Sequence, residues 1–288
     1  MDNKLSMTWG LIHTGVDKTG YTGKGVNVAV LDTGIDRHHQ DFKNRNIVSK
    51  SFVPNETVHD GNGHGTHCAG IALGPGNPAK GPRYGVASGA NIFIAKVLPD
   101  AGVANTRFVI DGIEWALENQ CRVISISLGN RVRCGEKHSP SFERLGQQAL
   151  AQGSLIIASA GNDSYRDIDR LLPVSHPANC PSILAVGAVD RQNNMYDRCN
   201  RSLNHGGGKV DSAAPGVGIH SAWAAPDNYR TLDGTSMASS FFAGIAALWI
   251  EAFPDLNIIE LKNKLLGSTK PIELPKEDVG EGLVQAPK

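Results

Sequence analysis

The 288-residue chain has no run of about 18 consecutive apolar residues, the length a membrane-spanning helix needs. It has no excess of charge either: 28 Lys and Arg balance 28 Asp and Glu. That balance removes the general electrostatic case for a nucleic-acid or anionic-membrane partner. Its five cysteines, Cys68, Cys121, Cys134, Cys180 and Cys199, lack the close paired spacing of a zinc knuckle, and their odd number leaves at least one outside any intrachain bridge. Cys134 with Cys180, or Cys180 with Cys199, are the pairings left open. There is no HExxH metal motif, since GHGTH at Gly63–His67 has neither its glutamate nor its spacing. Met1–Gly10 lacks a basic stretch followed by an apolar run, so an intracellular protein is expected if the chain is complete, and a secreted one if a leader and propeptide precede it. Internal repeats and long low-complexity linkers are also missing. The expectation is one domain over 1–288, with an amino-terminal surface segment at 1–20 and a carboxyl-terminal extension at 268–288 packed on or near it.

What is present is a regular alternation. Short apolar runs at Val26–Leu31, Asn91–Val97, Val123–Ser127, Ser154–Ala160 and Ile183–Val189 read as buried strands. Between several of them lie stretches with helical spacing. In Thr106–Asn119, Val109, Ile113, Ala116 and Leu117 share a face; in Ser141–Gln152, Phe142, Leu145, Ala149 and Leu150 do. This predicts an α/β fold with a mostly parallel sheet and helices on both faces. Ser236–Ile250 is apolar around its circumference and predicts a central buried helix ending near Pro254. A last helix is expected within Leu256–Leu266, and loops at Gly74–Gly85 and Asn204–Gly208.

Three glycine-flanked segments carry reactive side chains. Asp32 follows VAVL at the end of a strand, and Gly34 permits a sharp exit. By itself such an Asp is as readily a turn cap or a metal ligand. An imidazole N–H would compensate its buried charge and leave the other ring nitrogen as a base. His64, between Gly63 and Gly65, is that base candidate; His67, three residues on, is assigned a structural role. Ser236 opens the buried helix, where a lone Ser would be a cap, but where its hydroxyl can also stand above the core near a helix N-terminus. Asn162 ends the apolar run SLIIASAGN and can aim its amide at a developing oxyanion.

The segments VAVLDTGID, GNGHGTHCAG, SAGN and GTSMAS, in this order, resemble the subtilisin-like serine peptidases, and the likeness runs from Trp9 to Val284, including ILAVGAV at Ile183–Val189. The resemblance implies the subtilisin-like three-layer fold and serine endopeptidase chemistry: Asp32 orients His64, His64 deprotonates Ser236, and Asn162 helps hold the oxyanion. It implies an extended polypeptide substrate paired between Gly102, Val103, Ala104 and Asn105 on one side and Ser127, Leu128 and Gly129 on the other. Leu128 and Ala160 then form parts of the first specificity pocket, Gly161 is a further substrate-binding residue, and Val103 and Thr106 border a more distal pocket. A broad or apolar preference is expected there, although Asp163, Asp167 and Asp169 in the neighbouring loop offer a basic preference instead.

The resemblance further implies a propeptide or protein inhibitor in the same cleft, a monomer, and no cofactor for the chemistry. A structural Ca2+ is common in the family, and Asp41 matches one ligand of it, but Leu73–Gly81 does not reproduce the family's calcium loop. Cys68 would lie beneath the base, as in the proteinase K branch. Ser240-Phe241 stand where many members have Pro-His, and Arg131–Pro140 is longer than a minimal family turn, altering a pocket rim. Two other outcomes of the same residues are peptide ligation or macrocyclisation by the acyl-enzyme, and a peptide-binding pseudoprotease with misaligned groups.

Overall fold

The computed structural model describes residues 7–103, 105–204 and 208–288. Seven strands form one parallel sheet: β1 (Asn27–Asp32), β2 (Ile47–Ser51), β3 (Asn91–Lys96), β4 (Val123–Ile126), β5 (Leu155–Ser159), β6 (Leu184–Val189) and β7 (Ser212–Pro215), in the order β2-β3-β1-β4-β5-β6-β7. The five apolar runs read as strands are β1, β3, β4, β5 and β6. The two edges escaped the pattern for a physical reason. Strand β2 (IVSKS) is only half-covered and mostly polar, and β7 (SAAP) has no β-branched or aromatic residue. A hairpin of β8 (Ile219–Ala222) and β9 (Tyr229–Leu232) stands apart from the sheet.

Both faces of the sheet are covered. Val28 and Val30 of β1 point into a core shared with α2 (His64–Leu73), α5 (Thr235–Ala252) and α6 (Ile258–Gly267). Ala29 and Leu31 point the other way, into a core with α3 (Thr106–Glu118) and α4 (Pro140–Ala151). This is the period-two alternation of a strand buried on both sides. Helix α5 is the central element expected, buried continuously from Thr235 to Ile250. The chain leaves it at Phe253, before Pro254, and Asn257 and Glu260 close a capping box that starts α6.

The first and last described elements are tied into this frame. Near the short helix α1 (Trp9–His13), Leu11 and Val16 are buried in the core. Beyond the last short helix, α7 (Lys276–Val279), the backbone of Gly282–Val284 bonds to Ala213 of β7, and Ala286 N–H donates to the Thr14 carbonyl at 2.8 Å. All five cysteines are free thiols, so neither pairing left open by the sequence is made. No helix among the described residues is long and apolar enough to cross a membrane. The strand order reverses at β1, whose neighbours are β3 and β4. The crevice above the carboxyl end of β1 is therefore the place where an open α/β sheet presents a ligand site.

Candidate active site

Asp32 is the last residue of β1 and is fully buried in that crevice. Its Oδ1 accepts from Nδ1 of His64 at 2.7 Å and from the Thr33 backbone N–H at 2.8 Å. His64 is the first residue of α2, and its neighbour Gly65 is needed for close approach: a Cβ there would run into the Gly34 carbonyl oxygen. One helical turn below, the buried Cys68 places Sγ 3.8 Å from Nδ1 and 4.0 Å from Nε2. Burial works against a charged His64, but the Asp32 carboxylate, with smaller help from Cys68, outweighs it and raises the imidazole well above its ordinary value.

His67, on the same helix, has the opposite environment. It is buried, its Nε2 lies 3.1 Å from the Arg230 carbonyl, and desolvation pushes it down to about 3, so it stays neutral. The structural role read from the sequence matches this packing.

Ser236 is the second residue of α5 and 8% exposed. Its hydroxyl donates to the Ser127 carbonyl at 3.1 Å. Its own carbonyl accepts from the hydroxyls of Ser127, Ser239 and Ser240 at 3.2, 3.1 and 2.9 Å. The Ser240-Phe241 departure thus has local uses: Ser240 holds the first turn of α5, and the buried Phe241 ring lies 2.8 Å from where a Cβ on Gly10 of α1 would stand. Asn162 accepts at Oδ1 from the Thr235 N–H (3.0 Å) and hydroxyl (2.9 Å), leaving its Nδ2 with no protein acceptor among the described residues.

Thr33, Asn62, His64 and Leu98 share one cleft with Gly102 and Val103 on one side and Ser127, Leu128, Gly129 and Asn130 on the other. Of the residues expected to pair with substrate, Gly102 and Val103 on one side and Ser127, Leu128 and Gly129 on the other line the same cleft as His64. Val103 is 71% exposed, Asn105 caps α3 by accepting from the Arg107 N–H at 2.9 Å, and Ala104 lies outside the described residues. Ala160 is buried at the end of β5, and Gly161 takes a positive φ of 113° with the Ser175 hydroxyl and the Asn200 amide packed where a Cβ would stand. The Asp163 carboxylate is turned to those two groups, accepting from each at 3.2 Å, whereas Asp167 and Asp169 are exposed. The Arg131–Pro140 segment continues from Asn130, which pairs with His176, and with Leu172 it lines a pocket that, among the described residues, shares no lining residue with this cleft. The loop expected at Asn204–Gly208 is described only at its ends.

Two sets of atoms resemble metal donors. Asp32, His64 and Cys68 bring ligand atoms within 4.8 Å of one another, but the carboxylate and imidazole already bond to each other. Asp41 is buried, its Oδ1 accepts from the Ala79 N–H at 2.7 Å, and its Oδ2 accepts from the hydroxyls of Tyr84 (2.6 Å) and Tyr229 (3.0 Å). Burial and this carboxylate push both phenols up, Tyr229 to about 12, so both remain donors. A calcium ion takes about six to eight oxygen ligands. The Asp41 carboxylate already accepts from three donors, so serving a calcium ion would mean giving some of them up.

Sequence reasoning missed the groups behind the cleft. Asp60 is fully buried and accepts hydrogen bonds from Thr33, Asn62, Gly63 and Thr66. Burial opposes its charge, but the bonds from Thr66, Gly63 and Thr33 prevail and lower its carboxyl. The buried Lys96 ammonium reaches the Thr33 carbonyl at 2.5 Å, Asp100 at 2.6 Å and Glu56 at 3.1 Å. The one available signal was an Asp three residues before a glycine, a turn pattern that does not distinguish a loop from a clamp.

Comparison with known proteins agrees with the geometry. The Subtilase family model matches residues 23–282. Subtilisin DY of Bacillus licheniformis is 36% identical over 252 residues, covering 87% of this chain and 85% of that protein. Subtilisin Savinase of Lederbergia lenta is 35% identical over 291 aligned positions, covering 98% and 97%. Subtilisin E of Bacillus subtilis strain 168 is 37% identical over 248 residues, covering 85% of this chain and 61% of that protein. With a buried Asp–His pair at the carboxyl end of a parallel strand and a serine opening the central helix, the chain belongs to the subtilase family of serine peptidases.

Proposed function

We propose that this subtilase hydrolyses internal bonds of extended polypeptides through an acyl-enzyme on Ser236. The observation that carries the reading is the 2.7 Å bond between Asp32 and His64 Nδ1, which fixes the tautomer that leaves Nε2 as the base. In the ground state the Ser236 hydroxyl is held by the Ser127 carbonyl, so attack requires it to exchange that acceptor for Nε2. Its oxygen then bonds to the substrate carbonyl carbon, His64 takes the proton, and the carbonyl oxygen becomes negative. The Asn162 Nδ2 and the Ser236 N–H at the start of α5 are the donors for that charge. His64 next protonates the leaving amine, and then activates the water that releases the acyl product.

The substrate backbone is proposed to lie between Gly102–Asn105 and Ser127–Gly129, with Leu128, Ala160 and Gly161 around a broad or apolar first pocket. The domain is proposed to act as a single unit over 1–288, without a cation in the chemistry. Asp41 is proposed as a hydrogen-bond acceptor for the two tyrosines in place of a calcium ligand.

The test is release of peptides from an unfolded protein together with covalent labelling by a peptidyl phosphonate. Cleavage within the chain and a label on Ser236 are expected, with both lost in Ser236→Ala. Binding without turnover, indifferent to Ser236→Ala, would overturn the reading.

A further inference from the structure

The acid and the base come from different elements, and nothing in the Asp32–His64 bond itself decides where the two backbones sit. That placement is made by a third carboxylate. Asp60 Oδ1 accepts from the Thr33 hydroxyl (2.8 Å), the Asn62 N–H (3.2 Å) and the Gly63 N–H (2.7 Å); its Oδ2 accepts from the Thr66 N–H (2.8 Å) and hydroxyl (2.6 Å). Thr33 follows Asp32 in the chain, and Gly63 and Thr66 flank His64. The Thr33 hydroxyl, while donating to Asp60, also accepts from the Gly65 N–H at 2.8 Å, so the link is directional.

We propose that Asp60 is a positioning residue for catalysis: its buried carboxylate ties the exit of β1 to the first turn of α2 and thereby sets the Asp32–His64 geometry. The inference rests on the reading of those two residues as acid and base.

The chemistry requires a carboxylate. All five groups aimed at Asp60 are donors, and an ionised carboxylate is the side chain that accepts at both ends. Asparagine has the same shape but one oxygen. Whichever way its amide turns, the NH2 faces backbone N–H groups, those of Asn62 and Gly63 or that of Thr66, and one side of the tie is lost. A displacement of about 1 Å between reacting groups is enough to cost about 100-fold in rate.

The experiment uses the full chain and measures kcat and KM per folded molecule for wild type, Asp60→Asn, Thr33→Val and the double variant. It adds the low-field proton resonance of the Asp32–His64 hydrogen bond. Loss of wild-type activity in Ser236→Ala first establishes the underlying reading; its persistence there would sink that reading and this one separately from anything Asp60 does. The expectation is a fall in kcat of about 10- to 100-fold in Asp60→Asn with KM changed less than about threefold, and a shifted or broadened low-field resonance. Thr33→Val should give a similar fall, and the double variant little more than either, because both cut the same tie. Thr33→Val also keeps the question answerable if Asp60→Asn folds poorly. A normal kcat per folded molecule with an unmoved resonance in the folded variants, or losses that multiply in the double variant, would overturn the proposal.

Discussion

Two helices begin at the crevice, and they present their reactive residues in different states. At the start of α2, His64 is already bonded to Asp32, and its backbone is clamped by Asp60 and Thr33. At the start of α5, the Ser236 hydroxyl is bonded to a backbone carbonyl, and Asn162 is anchored through its oxygen with its amide hydrogens unclaimed by protein. In the proposed mechanism the acid–base half is therefore already bonded in the fold, while the nucleophile and oxyanion half still has to change partners when a substrate arrives. The difference has an electrostatic origin. A buried carboxylate must be compensated at once, and His64 does so, whereas a neutral hydroxyl and a neutral amide lose little by waiting.

The comparison is broken most severely by Ser236→Ala, which should lower kcat by about 10^6-fold, a magnitude carried over from subtilisin itself, while leaving the circular dichroism spectrum and the Asp32–His64 resonance in place. Asp32→Asn acts on the assembled half. A fall of about 10^4-fold in kcat is expected, and the acid limb of the pH–rate profile should move to lower pH, because the carboxylate is what holds His64 up. In wild type that limb is expected above the ordinary imidazole range, since in the proposed mechanism activity grows as His64 loses its proton. Asn162→Ala acts on the waiting half: kcat should fall by about 100- to 1000-fold, the range known for subtilisin's own oxyanion asparagine, with KM little changed.

Smaller effects separate the two histidines of α2 in stability. His64 is raised, so its contribution is complete below the unfolded imidazole value and is lost as pH rises through the folded one. His67 is lowered to about 3, so the fold keeps its full stability above the unfolded value and loses it as pH falls toward 3. Calorimetry on Ser236→Ala, which cannot digest itself, should show this acid loss at up to roughly 1.4 kcal/mol per pH unit. The smallest effect is expected of a chelator: EDTA should leave the melting temperature within about 2 °C, whereas Tyr84→Phe should cost about 1–3 kcal/mol by removing a donor from the buried Asp41. A large stabilisation by Ca2+ that is lost in Asp41→Asn would show that Asp41 serves a cation after all.

Much of this protein follows from its sequence alone, because the signals are local. Apolar runs bounded by glycine and polar residues place five of the seven sheet strands within a residue or two. The all-round apolar character of 236–250 identifies the central helix, and glycines beside Asp32, His64 and Ser236 single out the residues that stand over the core. Tertiary structure alone decided the rest, since the groups involved meet across long stretches of chain. The Thr33–Asp60 tie joins residues 27 apart, the Asn162 anchor spans 73, and the two tyrosines reach Asp41 from 43 and 188 residues away. A buried polar atom takes whichever complementary group the packing brings within about 3 Å, and no local pattern encodes that choice.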